Sequence, residues 1–174
     1  MDQYEILAAL IGFTQREEYQ PIVDCEVENT LLKLLSDTSY NEILEIGEEY
    51  LITHPFSIQA LYACGIAEFE LQKLNMKKYY FKFNAIMQDI EKSGTGKSIE
   101  SPFFTLGSHD GRFIGQVLNY GQFKSVQLIM DSNFNNIDVY TFLDAEGKKN
   151  EMYCIIEHAF NRNSALLKSS RFST

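Results

Sequence analysis

Val126-Gln-Leu-Ile-Met130, Ile137-Asp-Val-Tyr-Thr-Phe-Leu143 and Met152-Tyr-Cys-Ile-Ile156 are the runs whose reading decides the fold. Each is short and rich in β-branched or aromatic residues, which suit a pleated, half-buried surface. The stretches between them, Asp131–Asn136 and Asp144–Asn150, carry turn residues, with Gly147 in the second. The pattern predicts successive antiparallel strands joined by short loops. Just before them, Pro102–Leu106 is short, apolar and extended in character. Phe113, Ile114, Val117 and Leu118 predict one brief helix, stopped near Gly121. Beyond the strands, Asn161 to Thr174 holds Ser, Asn and three bases, and is expected to fray.

Upstream, the apolar period lengthens to that of a helix. Tyr4, Leu7, Ala8 and Ile11 recur at i, i+3, i+4 and i+7, after Asp2 as a candidate cap. A polar stretch, Thr14 to Tyr19, ends at Pro21. Val27, Leu31, Leu34 and Leu35 make a second stripe, with Asp24 as its start. Ser39-Tyr-Asn-Glu42 has capping-box spacing and opens a helix with Tyr40, Ile43, Leu44, Gly47 and Leu51 inward. Pro55 cannot continue that helix. Ser57 begins a segment with Leu61, Tyr62, Gly65 and Phe69 on one side. The next carries Met76, Tyr79, Tyr80, Phe83, Met87 and Ile90, with Gly94 as a left-handed terminator.

Two resemblances bear on these helices. Tyr40-Asn-Glu-Ile-Leu-Glu-Ile-Gly47, Tyr50-Leu51 and Pro55 resemble the second helix and closing proline of a tetratricopeptide repeat. Ala60-Leu-Tyr-Ala-Cys-Gly65 resembles the first helix of the next, with Gly65 where the two helices approach closely. Lys77 stands where that repeat usually has a small Ala. About one and a half repeats are visible, fewer than a solenoid needs to bury a continuous core. The helices are therefore expected to cover something else, and the C-terminal sheet is the candidate. Nearly the whole chain is also similar to a family of bacterial proteins catalogued as a domain of unknown function. The matching pieces include Ile11-Gly-Phe-Thr-Gln15, Tyr50-Leu-Ile-Thr-His-Pro-Phe-Ser-Ile-Gln-Ala-Leu-Tyr62 and Ile90-Glu-Lys-Ser-Gly-Thr-Gly-Lys-Ser98. That resemblance implies a tetratricopeptide-like hairpin followed by a β-rich half, and no activity. The expected fold is α+β: a helical, tetratricopeptide-like N-terminal part packed on a small, mainly antiparallel C-terminal sheet. It forms one domain over 1–174, with the helical part at 1–95, the short helix and strands at 96–160 and the tail at 161–174.

The chain has 174 residues, 45% hydrophobic and 22% charged, as a globular domain requires and a disordered chain does not. No stretch approaches the ~20 apolar residues that span a bilayer. The start, Met1-Asp-Gln-Tyr-Glu5, lacks a basic n-region. A soluble, cytoplasmic protein is expected. Cys25, Cys64 and Cys154 are far apart and odd in number, which argues against a disulfide framework or a zinc site. Cys64 and Cys154 sit in apolar patterns and are expected to be buried thiols.

The net charge of −9 is unevenly spread. Residues 1–50 hold 12 acids and two bases, a balance of −10; residues 51–174 hold 12 acids and 13 bases, a balance of +1. Such a layout argues against nucleic acid or an anionic membrane as partner, because both need clustered Lys and Arg. It suits a basic protein partner, which the field would steer. In a helix over 40–54, Glu42, Glu45 and Glu49 form one outward stripe, with Glu48 beside it. Glu17, Glu18, Glu26 and Glu28 are candidates to extend that face.

Motifs for chemistry are few. Gly94-Thr-Gly-Lys-Ser98 invites a P-loop reading, but Glu91 stands where that motif has its first Gly, and a helix precedes it where a strand is required. A helix stop followed by an ordered loop is expected instead. His54 is expected at a helix end, His109-Asp110 in a loop and His158 after the last strand. No metal-type spacing and no nucleophile elbow occurs; in the run Tyr79-Tyr80-Phe81-Lys82-Phe83, the residues Tyr79, Tyr80 and Phe83 fall on a helical apolar stripe and are expected to pack in the core. The sequence thus nominates no catalytic residue, metal or cofactor. The leading expectation is a non-catalytic binding protein, most concretely an immunity protein whose acidic helices occlude a basic toxin domain. The alternatives are an adaptor holding a peptide in a groove of residues 57–73, and an enzyme with an unrecognised site.

Overall fold

The computed structural model describes residues 5–21, 24–72 and 78–171. They form seven helices and four strands in two compact units, Met1–Asp89 and Ile90–Thr174. The fold is α+β, with helices first and a mainly antiparallel sheet in the second unit.

The first unit holds α1 (Glu5–Phe13), α2 (Asp24–Ser36), α3 (Tyr40–Thr53), α4 (Ile58–Glu70) and most of α5 (Lys78–Ser93). Leu31, Ile43, Leu44, Leu61 and Cys64 are buried where α2, α3 and α4 meet. Gly47 lets α3 lie close to α4, since a methyl there would run into Cys64 Sγ. Ser57 caps α4 by accepting the Ala60 N–H at 3.2 Å. At Ser39, by contrast, no side-chain cap forms, although the box spacing is present.

Three helical faces depart from expectation. In α1, Leu10 and Phe13 are buried while Ile11 is 47% exposed. Phe13 fixes this phase, its ring meeting those of Tyr19, His54 and Phe56 at 5.8, 6.0 and 5.7 Å. In α4 the buried positions are Ile58, Gln59, Ala60, Leu61, Ala63, Cys64, Ala67 and Glu68, and Phe69 is exposed. Small residues there admit close neighbours, so the inward face is wider than the stripe through Leu61 and Phe69. In α5, Tyr79, Phe83, Ile86, Met87 and Ile90 are buried, but Tyr80, expected on the same inward stripe, is exposed. Asp2, Tyr4, Met76 and Lys77 lie outside the described residues.

The second unit is built on a four-stranded sheet of order β1-β4-β3-β2. The strands are β1 (Phe103–Phe104), β2 (Gln122–Met130), β3 (Asn136–Leu143) and β4 (Lys149–Ile155). β2, β3 and β4 pair antiparallel as expected, and β1 adds to β4 in parallel. Helix α6 (Ser108–Val117) packs on the sheet, with Gly111 and Gly115 against the rings of Tyr140 and Phe142. Any side chain at either glycine would run into those rings, so this pair sets the helix–sheet distance.

Two local readings are corrected here. Gly94 is not left-handed; it is needed because a Cβ there would strike the Pro102 carbonyl, and Gly96 has the positive φ, +64°. The tail does not fray from Asn161: α7 spans Glu157–Arg171. Its first turn is anchored, which offsets its polar composition. Glu157 Oε2 accepts the Asn136 N–H at 2.8 Å and Nδ2 at 2.7 Å, Asn161 Nδ2 reaches Oε1 at 2.8 Å, and Ala159 is buried. These bonds hold the Glu157 carboxyl below its usual pKa. No helix among the described residues is long and apolar enough to cross a membrane.

Candidate functional site

The acidic residues expected on α3 all face solvent. Glu42, Glu45, Glu48 and Glu49 are exposed, opposite the buried Ile43, Leu44, Gly47 and Tyr50. Two apolar residues share their surface: Ile52 is 80% exposed and Ile46 is 36% exposed. At 100° per residue, Ile46 and Ile52 flank Glu49 by about 60° on either side. The face therefore carries carboxylates with two isoleucines set among them. Glu48 is partly engaged, for its Oε1 accepts the Tyr79 hydroxyl at 3.0 Å. Burial, then that carboxylate, pushes the Tyr79 phenol well above its usual pKa. Burial also pushes the Cys64 thiol up to about 12, with Glu48 and Glu68 adding to it, so Cys64 is a packing residue rather than a nucleophile.

The other acids fall into two groups. Glu17 and Glu18 lie between α1 and α2, where the Glu18 carbonyl accepts from His54 Nε2 at 3.1 Å. A carbonyl only accepts, so His54 carries its proton on Nε2. His54 is the C-cap of α3 and stacks on Tyr50 at 4.3 Å. Glu18 thus sits at the far end of α3 from Glu42, about 18 Å along the helix at 1.5 Å per residue. Its charge is offset by Arg16 at 3.3 Å. Its own backbone N–H, then Arg16, lowers the Glu18 pKa. Glu26 is exposed on α2. Glu28 is 4% exposed and accepts the Ser57 hydroxyl, bracing the cap of α4. Its position was readable, since residues 28, 31 and 35 share one helical face.

Beside this face, α4 and α5 enclose an apolar groove of about 420 Å³. Leu61, Tyr62, Gly65, Ile66 and Phe69 line it from α4, and Tyr80 and Phe83 from α5. The Tyr62 and Phe83 rings meet at 5.5 Å, and Gly65 brings the helices together, its Cβ direction ending 3.5 Å from the Tyr80 nitrogen. Phe69 and Tyr80 stand 62% and 59% exposed at the rim. Tyr80 was expected in the core with Tyr79 and Phe83, because it was read as part of their helical apolar stripe.

In the second unit the polar groups serve the fold. His109 and Asp110 lie in the first turn of α6, not in a loop. Asp110 Oδ2 accepts the N–H groups of Leu106 at 2.9 Å and of the N-cap Gly107 at 3.0 Å, fixing the chain entry into that helix. The Tyr140 hydroxyl sits against the Ser108 carbonyl and 3.1 Å from Asp138 Oδ2. One proton cannot serve both acceptors. Burial raises the Asp138 pKa, and a protonated Asp138 would donate to Tyr140 while Tyr140 donates to Ser108. His158 stacks on Phe104 at 4.7 Å, and burial lowers its pKa. Cys154 is fully buried.

The Gly94–Ser98 loop follows α5, and its backbone is already used. The N–H groups of Thr95 and Gly96 donate to the Ser101 carbonyl at 3.1 and 2.8 Å, and the Gly96 carbonyl accepts from Tyr153 at 2.9 Å. A phosphate cradle needs such amides free and convergent. Within either unit taken alone, the described residues gather no three His, Cys, Asp or Glu ligand atoms around one point.

No curated protein matches the chain. No solved structure matches it either. Residues 2–165 match the family described as "Domain of unknown function (DUF4919)", and the chain belongs to that family.

Proposed function

We propose that this protein is a non-catalytic binding protein whose outer α3 face engages a basic protein partner. The observation that carries this reading is the set of exposed Glu42, Glu45, Glu48 and Glu49 with Ile46 and Ile52 among them. Carboxylates at this spacing repel by ~0.2–0.5 kcal/mol per pair, so the stripe does nothing for folding. Exposed isoleucines give such a face apolar anchors that a purely solvating surface lacks. A basic partner would gain steering from the charge and residence time from the anchors. An immunity protein that covers the basic cleft of a toxin is the most concrete form of this reading. The test is affinity capture from the native host with the wild-type chain and with Glu42→Lys/Glu45→Lys in parallel. Retention of one basic protein by the wild type alone supports the proposal. Equal retention by both forms rejects it.

The α4–α5 groove favours a second reading, an adaptor that holds an apolar peptide segment. Tyr62, Phe69, Tyr80 and Phe83 offer aromatic faces to such a segment. The two readings separate by salt. A partner on α3 is released as ionic strength rises, whereas one in the groove is held. Phe69→Ser should release only the second kind.

A further inference from the structure

We propose that β2 is an association edge through which two copies of this chain pair, antiparallel, across a two-fold axis at Leu128. Among the described residues β2 ends the sheet order and has β3 as its only partner strand. Every second residue of such a strand turns its N–H and C=O away from the sheet, a template for a further strand. Proteins blunt such edges with Pro, charges, β-bulges or short length. On β2 the only such features are Lys124 and the bulge it occupies between Phe123 and Ser125, and the six residues beyond, Ser125–Met130, keep regular register without Pro or charge. The strand runs nine residues, Gln122–Met130, with Lys124 as its single charge. Val126, Leu128 and Met130 share one face and are 47%, 49% and 63% exposed. The residues they pair with on β3, Tyr140, Asp138 and Asn136, are buried. The cover over this face therefore reaches β2 only at Phe123, beneath Arg112 of α6, and leaves an open apolar row from Val126 to Met130.

The occupant follows from self-complementarity. In antiparallel pairing centred on Leu128, Val126 faces Met130 of the other copy, Leu128 faces Leu128, and Met130 faces Val126. Six apolar side chains become one continuous row, and cross-strand pairs of this kind are what stabilise a ladder. Lys124 falls opposite Ser132, so no like charges meet. The unit that holds β2 also permits it: residues 90–174 contain nine acids and nine bases, whereas residues 1–89 contain 15 acids and six bases. Neutral surfaces associate with their own copies and strongly charged ones do not.

A strand edge buries less than a standard interface, so a weak, reversible dimer is expected. Sedimentation velocity of the full chain from roughly 10 µM to 1 mM should show monomer passing to dimer. Leu128→Lys should raise the midpoint concentration at least ~10-fold. Hydrogen exchange of the wild type supplies a reading that needs no variant: alternate β2 amides should slow as concentration rises, and β3 amides should not. A chain that stays monomeric throughout leaves the edge for some other strand and overturns the proposal. So does a dimer that forms equally well in Leu128→Lys, or one whose added protection lies outside β2.

Discussion

Gly47 and Cys64 set how closely α3 and α4 pack, and their coupling can be measured. Gly47→Ala alone should cost about 1–3 kcal/mol, because its methyl meets Cys64 Sγ in a filled core. Adding Cys64→Ala removes that sulfur, so the double variant should be more stable than the sum of the two single losses, by roughly 1 kcal/mol in denaturant melts. Strict additivity would contradict the contact. Asp138 makes a pH-dependent case. Its folded pKa lies above its unfolded value, near 3.9, so the native state keeps a proton that the unfolded chain releases. Stability from this group falls as pH rises through that window. Asp138→Asn keeps an acceptor and a donor for Tyr140 without the charge, so its melting temperature should exceed the wild type's at pH 7, with the gap closing by about pH 3. A gap unchanged between those pH values would contradict it. Single residues were also where the sequence was hardest to read. Glu28 was assigned to the surface by its charge, although its helical phase beside Leu31 placed it inside; what that phase could not show is its partner, Ser57.

At the scale of elements, the runs of β-branched residues and the turn chemistry located β2, β3 and β4, because strand period and loop composition are local properties. The parallel addition of β1 to β4 was not legible, since nothing local distinguishes a two-residue strand from a loop. The anchoring of α7 was hidden for the same reason: Asn136 lies 21 residues before Glu157. The phase of α1 was missed because bulky Phe13 finds partners distant in sequence. The Gly94–Ser98 loop shows what context adds to a motif. Its amides donate to Ser101, so calorimetry should find no saturable ATP or GTP binding. Saturable binding that Lys97→Ala abolishes would contradict this assignment.

For the molecule as a whole, the charge asymmetry was fully legible, because it needs only counting. The proposed face was half legible: periodicity put Glu42, Glu45 and Glu49 on one exposed side, and it could not show that Ile46 and Ile52 stand open among them. The apolar groove was legible only as a range of residues, since it also needs Tyr80 and Phe83 from α5. Glu42→Lys with Glu45→Lys should leave the melting curve within ~0.5 kcal/mol of wild type, as exposed substitutions do. The central proposal is that α3 presents an acidic, isoleucine-studded face to a basic partner. The most direct measurement is the affinity of the captured partner for both forms across a salt series. The expected result is at least ~10-fold weaker binding by the double variant at low salt, with a flatter dependence on ionic strength and a slower association rate. Unchanged affinity with an unchanged salt slope would contradict the proposal and leave the acids on α3 as a solubilising surface.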